Sequence, residues 1–382
     1  MGTTSIHSTD PAVVALVVLI DNITGDKLDA VLPVNAESDV RYVMSRFAWL
    51  RRDARDLVLE SPLTDAHVRV VDPRAAALVA ALADPSSLED AGHRAGLTHD
   101  ETRVVLAAMQ FIGAVRVHGD STQSSLEDQV PITWEFHDLL FHTRARAGRS
   151  PLRLSKSPLA RGLRREEDVQ PGDLALPPVD VQRQAHQDPP FGQVVEQRRS
   201  VRDFDAGPIS TPALAELLAR VMGMRADGNE NRRRFPSGGA VFEIDAVVLA
   251  FNVTDLEKGS YLYRPKHHSL RPLQGDIEAL DFLGRMAAGA AGQPLEHVPP
   301  AVVVFAARFN SLGSHYQGIT YSLMLKHAGV LMAMMNLTAP LVGLGSVPVG
   351  LGDSDRFAAA TGLDYYRHGS IGELALSSLA DE

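Results

Sequence analysis

The chain has 382 residues, 45% of them apolar, with a formal net charge of −10 and no cysteine. That length predicts two or three domains, with enough apolar residues to bury real cores. The charge argues against a polyanionic partner such as nucleic acid, and the missing thiols exclude disulfides, thiolate metal sites, iron–sulfur clusters and cysteinyl-flavin links.

Met1 to Ile6 lacks a basic stretch, and the apolar run Val13 to Ile20 is too short for a signal or membrane segment. The run reads as a buried strand closed by turn residues at Asp21-Asn22 and Thr24-Gly25-Asp26. Leu57 to Glu60 and His67 to Val71 read as short strands around Ser61-Pro62. Pro73 suits a first helical turn, and an alanine-rich helix follows over Arg74 to Ala83. Two capping boxes come next. Ser86-Ser87-Leu88-Glu89 opens one helix, which Gly92 or Gly96 can end. Thr98-His99-Asp100-Glu101 opens another, with Val104, Val105, Ala108, Phe111 and Ile112 on one face, and Ala114 to Val117 returns as a strand. Helix, turn, helix, strand is the winged-helix order, which often reads DNA. Here the second helix begins with Asp100 and Glu101, and residues 1–125 hold 11 Lys/Arg against 17 Asp/Glu, so DNA is not the expected ligand.

Ser121 to Asp128 is polar and reads as a boundary. Trp134 to His142 forms an amphipathic helix whose aromatics are expected to pack on the domain that follows. His137 and His142 stand five apart, the wrong spacing for two ligands on one helical face, so no metal is assigned. Residues 150–190 are rich in Pro, Arg, Asp and Gln without a period, as in a long surface connection. From Phe191 onward, Thr211 to Met222 is a helix with proline at its start, while Ala246 to Val253 and Val302 to Ala306 are β-branched strands for the middle of a sheet. Ile319 to Leu341 is a long helix, apolar nearly all round, which belongs in a core or at a subunit interface. Asn336, Thr338 and Pro340 interrupt the run Ala328 to Gly345, so it does not read as a membrane span; the expectation is a cytoplasmic chain without membrane contact. Gly369 to Leu376 supplies a last strand. The expected division is 1–125, 126–190 and 191–382.

Two stretches carry chemistry. Arg198-Arg199-Ser200-Val201-Arg202-Asp203-Phe204 sets three guanidinium forks and a hydroxyl within five residues, a pattern suited to phosphate oxygens, with Val201 and Phe204 buried and Arg202 outward. By itself such a cluster also describes a solvated helix end. Arg234-Phe235-Pro236-Ser237-Gly238-Gly239-Ala240 supplies adjacent glycines whose amides can approach a flat ligand. There is no G-x-G-x-x-G, Walker loop, H-E-x-x-H or G-x-S-x-G to compete. His267-His268 reads as a surface hairpin turn rather than a metal pair.

In this order the two stretches resemble the nitroreductase superfamily of flavoproteins and, within it, the SagB-type azoline dehydrogenases. The resemblance continues at Lys258-Gly259-Ser260-Tyr261-Leu262-Tyr263, His267-His268-Ser269-Leu270, Lys326-His327-Ala328-Gly329-Val330-Leu331 and Gly350-Leu351-Gly352-Asp353. It implies an α+β fold: a nitroreductase-like domain with a central mixed or antiparallel sheet surrounded by helices, behind an N-terminal winged-helix-like domain that can bind peptide. It implies FMN and a homodimer with flavin sites at the interface. Arg198, Arg199, Ser200 and Arg202 would hold the phosphate. Pro236, Ser237, Gly238 and Gly239 would lie along the ring, and Pro348, Val349, Gly350, Leu351 and Gly352 would cover its other face. The implied reaction converts thiazoline or oxazoline rings of a ribosomally made precursor peptide to thiazole or oxazole, alongside cyclodehydratase partner proteins. The alternatives are an NAD(P)H-dependent reductase of small molecules, or a catalytically silent peptide-binding scaffold.

Two departures from the family pattern stand out. The tail Ala380-Asp381-Glu382 is acidic where simple nitroreductases add basic residues, so the early arginines suffice or Arg367 helps. Relatives also carry adjacent Lys and Tyr ahead of the long helix; here Ser314-His315-Tyr316-Gln317 keeps the tyrosine and puts His315 in the lysine's place. A neutral imidazole can accept a proton near pH 7, which makes His315 and Tyr316 the candidate acid–base pair.

Overall fold

The computed structural model describes residues 3–5, 19–21, 40–54, 56–119, 125–146, 169–225, 232–314, 316 and 318–379, with backbone alone for the first two stretches and for Ser314. The expected strand Val13 to Ile20 falls mostly outside them. The chain forms two compact units, Met1–Leu152 and Arg153–Glu382.

In the first unit the elements run β1 (Thr3–Ser5), β2 (Leu19–Asp21), β3 (Arg41–Met44), β4 (Trp49–Asp53), β5 (Asp56–Glu60), β6 (His67–Val70), α1 (Pro73–Ala81), β7 (Ser86–Ser87), α2 (Leu88–Ala95), α3 (His99–Phe111), β8 (Val115–His118) and α4 (Phe136–Arg144). The strands form a five-stranded sheet, β1-β2-β6-β5-β4, and a three-stranded one, β7-β3-β8. The helix starts follow local chemistry. Asp72 caps α1 ahead of Pro73, and Thr98 and Glu101 close a reciprocal capping box on α3. The cap of α2 is Ser87, one residue beyond the expected box, its hydroxyl accepting from the Asp90 N–H; Gly96, at φ 71, ends that helix. The predicted helix, turn, helix and strand are therefore present over residues 73–118, in a unit whose remaining elements are mostly strands. They close over Tyr42, Leu59, Leu78, Leu106, Met109 and Ile112. One expectation is corrected: Trp134, Phe136 and Leu139 around α4 pack on Phe47 and Leu63 of this same unit. Amphipathicity says that a face is buried, not against what.

The second unit holds β9 (Leu174–Ala175), α5 (Val181–Ala185), α6 (Phe191–Gln197), α7 (Thr211–Met222), β10 (Ile244–Ala250), β11 (Gly259–Arg264), β12 (Ser269–Leu273), α8 (Ile277–Ala290), β13 (Ala301–Arg308), α9 (Thr320–Thr338), β14 (Leu344–Val349), α10 (Ser354–Thr361) and β15 (His368–Ser378). Seven strands pair antiparallel in the order β14-β15-β13-β10-β11-β12-β9. Both faces are buried. Ala246, Val248 and Ala250 meet α7 and α9 on one side, while Val247 and Leu249 meet α8 and α10 on the other. That double burial is why β10 and β13 read as continuous apolar runs instead of alternating ones. The segment 169–190 is more than a connection: β9 adds the seventh strand, and Asp173, its side chain 1% exposed, takes a bidentate pair from Arg271 at 2.8 and 3.0 Å. A two-residue strand has no period to read.

Along α9, Met324, Ala328, Leu331 and Met335 are buried, yet Tyr321 and Val330 remain 47% and 37% exposed. Among the described residues no helix is long and apolar enough to cross a membrane.

Candidate active site

Helix α6 ends at Arg198, and the chain continues extended along β14, the outer strand of the sheet. The Val201 N–H donates to the Ser346 carbonyl at 3.0 Å, which fixes the segment's register. Gly345 makes this approach feasible, since a Cβ there would fall 2.7 Å from Val201. Phe204 is buried as expected, Val201 only half-buried like Ser200, and Arg198, Arg199 and Arg202 are exposed. Among the described residues the side chains of Arg198 and Arg202 make no hydrogen bond or ion pair, so two guanidinium forks remain available beside the Ser200 hydroxyl. Arg367, the other candidate, lies 3.9 Å from Asp364 with its side chain 79% exposed.

The second stretch leads into β10 from a strained loop. Gly239, Ala240 and Phe242 have φ of 63°, 54° and 51°, a left-handed conformation that costs a non-glycine residue about 1 kcal/mol or more. Such a loop persists only where its surroundings over-determine it. Here they do. Glu243 is fully buried, and its two carboxylate oxygens accept from His327 Nδ1–H at 2.6 Å and from the Ser237 hydroxyl at 2.8 Å. The Ser237 oxygen accepts in turn from the Phe242 N–H at 2.9 Å, and His327 Nε2 accepts from the Gly238 N–H at 3.1 Å. A backbone N–H can only donate, so Nε2 carries the lone pair and the imidazole proton is on Nδ1. Burial pushes the Glu243 carboxyl up, but the hydrogen bonds from His327, its own backbone and Ser237 more than offset that, so it sits below the ordinary carboxylate range.

Tyr316 stands against this loop. Its N–H donates to the Leu312 carbonyl, and a Cβ placed on Gly238 would lie 3.3 Å from Tyr316 Cε2, 3.4 Å from its hydroxyl and 3.5 Å from His327 Cε1. A side chain at 238 would therefore crowd the Tyr316 ring. The structure thus brings Tyr316, His327, Ser237 and Gly238 together. His315, the other half of the candidate acid–base pair, lies outside the described residues.

Of the late stretch, Pro348 and Val349 are the last residues of β14, while Gly350, Leu351 and Gly352 form an exposed turn, with Leu351 65% exposed. A Cβ on Gly352 would fall on the carboxylate of Glu373, which sits in β15 opposite Val349 and Val304. Burial pushes the Glu373 carboxyl up to about 7. The arginine segment borders β14 and the Pro236 loop leads into β10; β15 and β13 lie between these strands, which are three inter-strand steps or about 14 Å apart.

His268 is not a free surface turn residue. Its Nδ1 pairs with the Tyr263 hydroxyl at 3.0 Å and its Nε2 with the Pro177 carbonyl at 2.9 Å, which ties the turn to the segment near β9. Sequence reasoning missed Glu243 and Glu373 and gave His327 no role. The only signal was an acid set among apolar residues, in Val241-Phe242-Glu243-Ile244 and Gly372-Glu373-Leu374.

Residues 42–151 match the family described as cyanobactin oxidase ThcOx, and residues 195–372 match the nitroreductase family. A Methanocaldococcus jannaschii protein named as a nitroreductase is 27% identical over 158 residues, which are 41% of this chain and 76% of that protein. A solved Ralstonia eutropha structure described as a nitroreductase is 22% identical with a TM-score of 0.44, covering 61% of this chain and 100% of its own. The E. coli microcin synthetase McbBCD complex with truncated pro-MccB17 bound is 20% identical with a TM-score of 0.43, covering 57% of this chain and 79% of its own.

The Glu373 site yields a sign-definite prediction. Its folded pKa of about 7 lies above the unfolded value near 4.3, so the folded state binds the proton more tightly and stability is lost as pH rises from about 4.3 through about 7. Glu373→Gln, neutral throughout, should match the parent near pH 4.5 and exceed it by about 2–4 kcal/mol above pH 7. Urea unfolding at both pH values measures this, and an unchanging difference would overturn the assignment.

Proposed function

We infer, for a chain that belongs to the nitroreductase superfamily and within it to the SagB-type peptide oxidases, that it oxidises thiazoline or oxazoline rings of a ribosomally made precursor peptide to thiazole or oxazole, using FMN. The observation that carries this reading is the order of the two matches in one chain, cyanobactin oxidase over residues 42–151 and nitroreductase over residues 195–372. The N-terminal unit grips the peptide, and cyclodehydratase partner proteins supply the azoline.

The residues fit FMN on two counts. Two exposed guanidinium groups beside a hydroxyl, on a backbone pinned by Val201, suit a phosphate. Gly239 and Ala240, exposed and with left-handed backbone, leave room for a flat ring. When bound, FMN supplies the acceptor for the hydride that leaves the azoline ring. Arg198, Arg202 and Ser200 hold its phosphate, with Arg199 beside them. The Pro236-Ser237-Gly238-Gly239 loop and the Pro348 to Gly352 turn flank its ring. The second hydrogen of the azoline leaves as a proton, and Tyr316, adjacent to the loop, with His315 next to it in sequence, moves that proton.

A homodimer completes the site. Supporting it, Tyr321 and Val330 are exposed on α9, and the arginine segment borders β14 while the loop leads into β10, with β15 and β13 between those two strands. A second copy can bring its own loop to the first copy's arginines.

Three outcomes follow. Arg198→Ala or Arg202→Ala should weaken FMN binding about ten- to a hundredfold, while Arg285→Ala on α8 leaves it unchanged; equal retention in all three would remove the cluster as the phosphate site. The flavin-loaded protein should sediment as two chains, and a loaded monomer would rule out the shared site. With an azoline peptide, the parent should reduce its flavin and release azole, whereas Tyr316→Phe keeps FMN and loses turnover. Flavin reduction by NADPH but not by the peptide would move the assignment to a small-molecule reductase.

A further inference from the structure

We propose that His327 is a positioning residue: held by Glu243 as the Nδ1–H tautomer, it latches the Pro236 to Ala240 loop through the Gly238 amide and so sets that loop's approach to the flavin. The inference rests on the reading of this loop as the one along the ring.

The four hydrogen bonds leave no freedom in the direction of any proton. The Gly238 and Phe242 amides can only donate, an ionised Glu243 can only accept, and Ser237 and the imidazole each pass one proton on to that carboxylate. The set is therefore self-consistent in a single arrangement, with Glu243 charged and His327 neutral. It joins two distant parts of the chain, the loop that leads into β10 and the second turn of α9, 84 positions apart. It is also anchored beyond the loop, because the Glu243 carbonyl accepts from the Arg308 N–H at 2.9 Å, at the end of β13. The latch acts where the backbone is least content, beside three left-handed residues within four positions, Gly239, Ala240 and Phe242. Without an acceptor at Nε2 the Gly238 amide loses its partner, and the loop relaxes away from the geometry that also seats Tyr316.

Two substitutions at one position separate latching from packing. In His327→Gln the amide oxygen can stand where Nε2 stands and accept from Gly238, whereas His327→Leu fills the space and accepts nothing. Glu243→Gln removes the charge and one acceptor: its single amide oxygen can meet the His327 Nδ1–H or the Ser237 hydroxyl but not both, so one of the two arms loses its acceptor. The experiment is FMN titration of the full-length variants, together with ¹⁵N shifts of the His327 imidazole in the parent. The expected result is a protonated Nδ1 in the parent. FMN dissociation constants should rise about tenfold in His327→Leu and Glu243→Gln and stay within about threefold in His327→Gln. A parent with its proton on Nε2 overturns the latch whatever the flavin does. So does FMN binding in His327→Leu equal to that of the parent, or binding in His327→Gln as weak as in His327→Leu. A parent that binds no FMN overturns the flavin reading itself, and the ¹⁵N shifts then still report whether the latch exists. If His327→Leu or Glu243→Gln does not fold, the parent's tautomer and the His327→Gln titration decide alone.

Discussion

A carboxylate removed from water keeps its charge only where donors replace the solvent it has lost. Glu243 is in that position, and no cation is given to it by the hydrogen bonds described around it: neutral donors from Ser237 and His327 do the work. Because each of those donors is itself held by a loop amide, a single buried charge dictates the conformation of Gly238 to Phe242. The charge is costly to bury, and the strained loop is costly to form; each is tolerable only in the presence of the other.

The sheet explains how such a site can be placed at all. An antiparallel sheet covered on both faces presents few surfaces for chemistry, so functional residues collect where strands end or where the outer strand is bordered. Glu243 precedes β10, Gly350 to Gly352 follow β14, and the arginines run beside β14. Gly372, which faces Ala328 and Met332 of α9, sits at an irregularity in the β13–β15 pairing one residue before Glu373. Long helix and titrating acid thus meet the sheet from opposite sides at adjacent positions, Leu374 belonging to the α9 side and Ala375 to the α8 side.

What could be read from sequence follows from the range of each interaction. The capping box at Thr98 and Glu101, the helix after Ser210-Thr211-Pro212, and the apolar strands β10 and β13 are encoded within a few residues, and they appear where expected. The phosphate-type cluster and the glycine loop were legible because their chemistry is contiguous. The pairing of Glu243 with His327 spans 84 positions and leaves no local trace. The partner of an amphipathic helix is equally invisible: α4 shows which of its residues are apolar, and nothing in that pattern points to Phe47 and Leu63. Glu373 looks like an ordinary strand acid until the fold sets Gly352 against it.

The bond from Val201 to Ser346 has a meaning beyond register. An outer strand offers a row of unpaired backbone donors and acceptors on which another chain can template itself, and folded proteins cover or interrupt such rows. On this sheet β9 shields one margin and the arginine segment borders the other. The residues that offer positive charge to an anion are therefore also part of the guard against intermolecular strand addition. One short strip of backbone thus both displays exposed guanidinium groups and covers a strand edge.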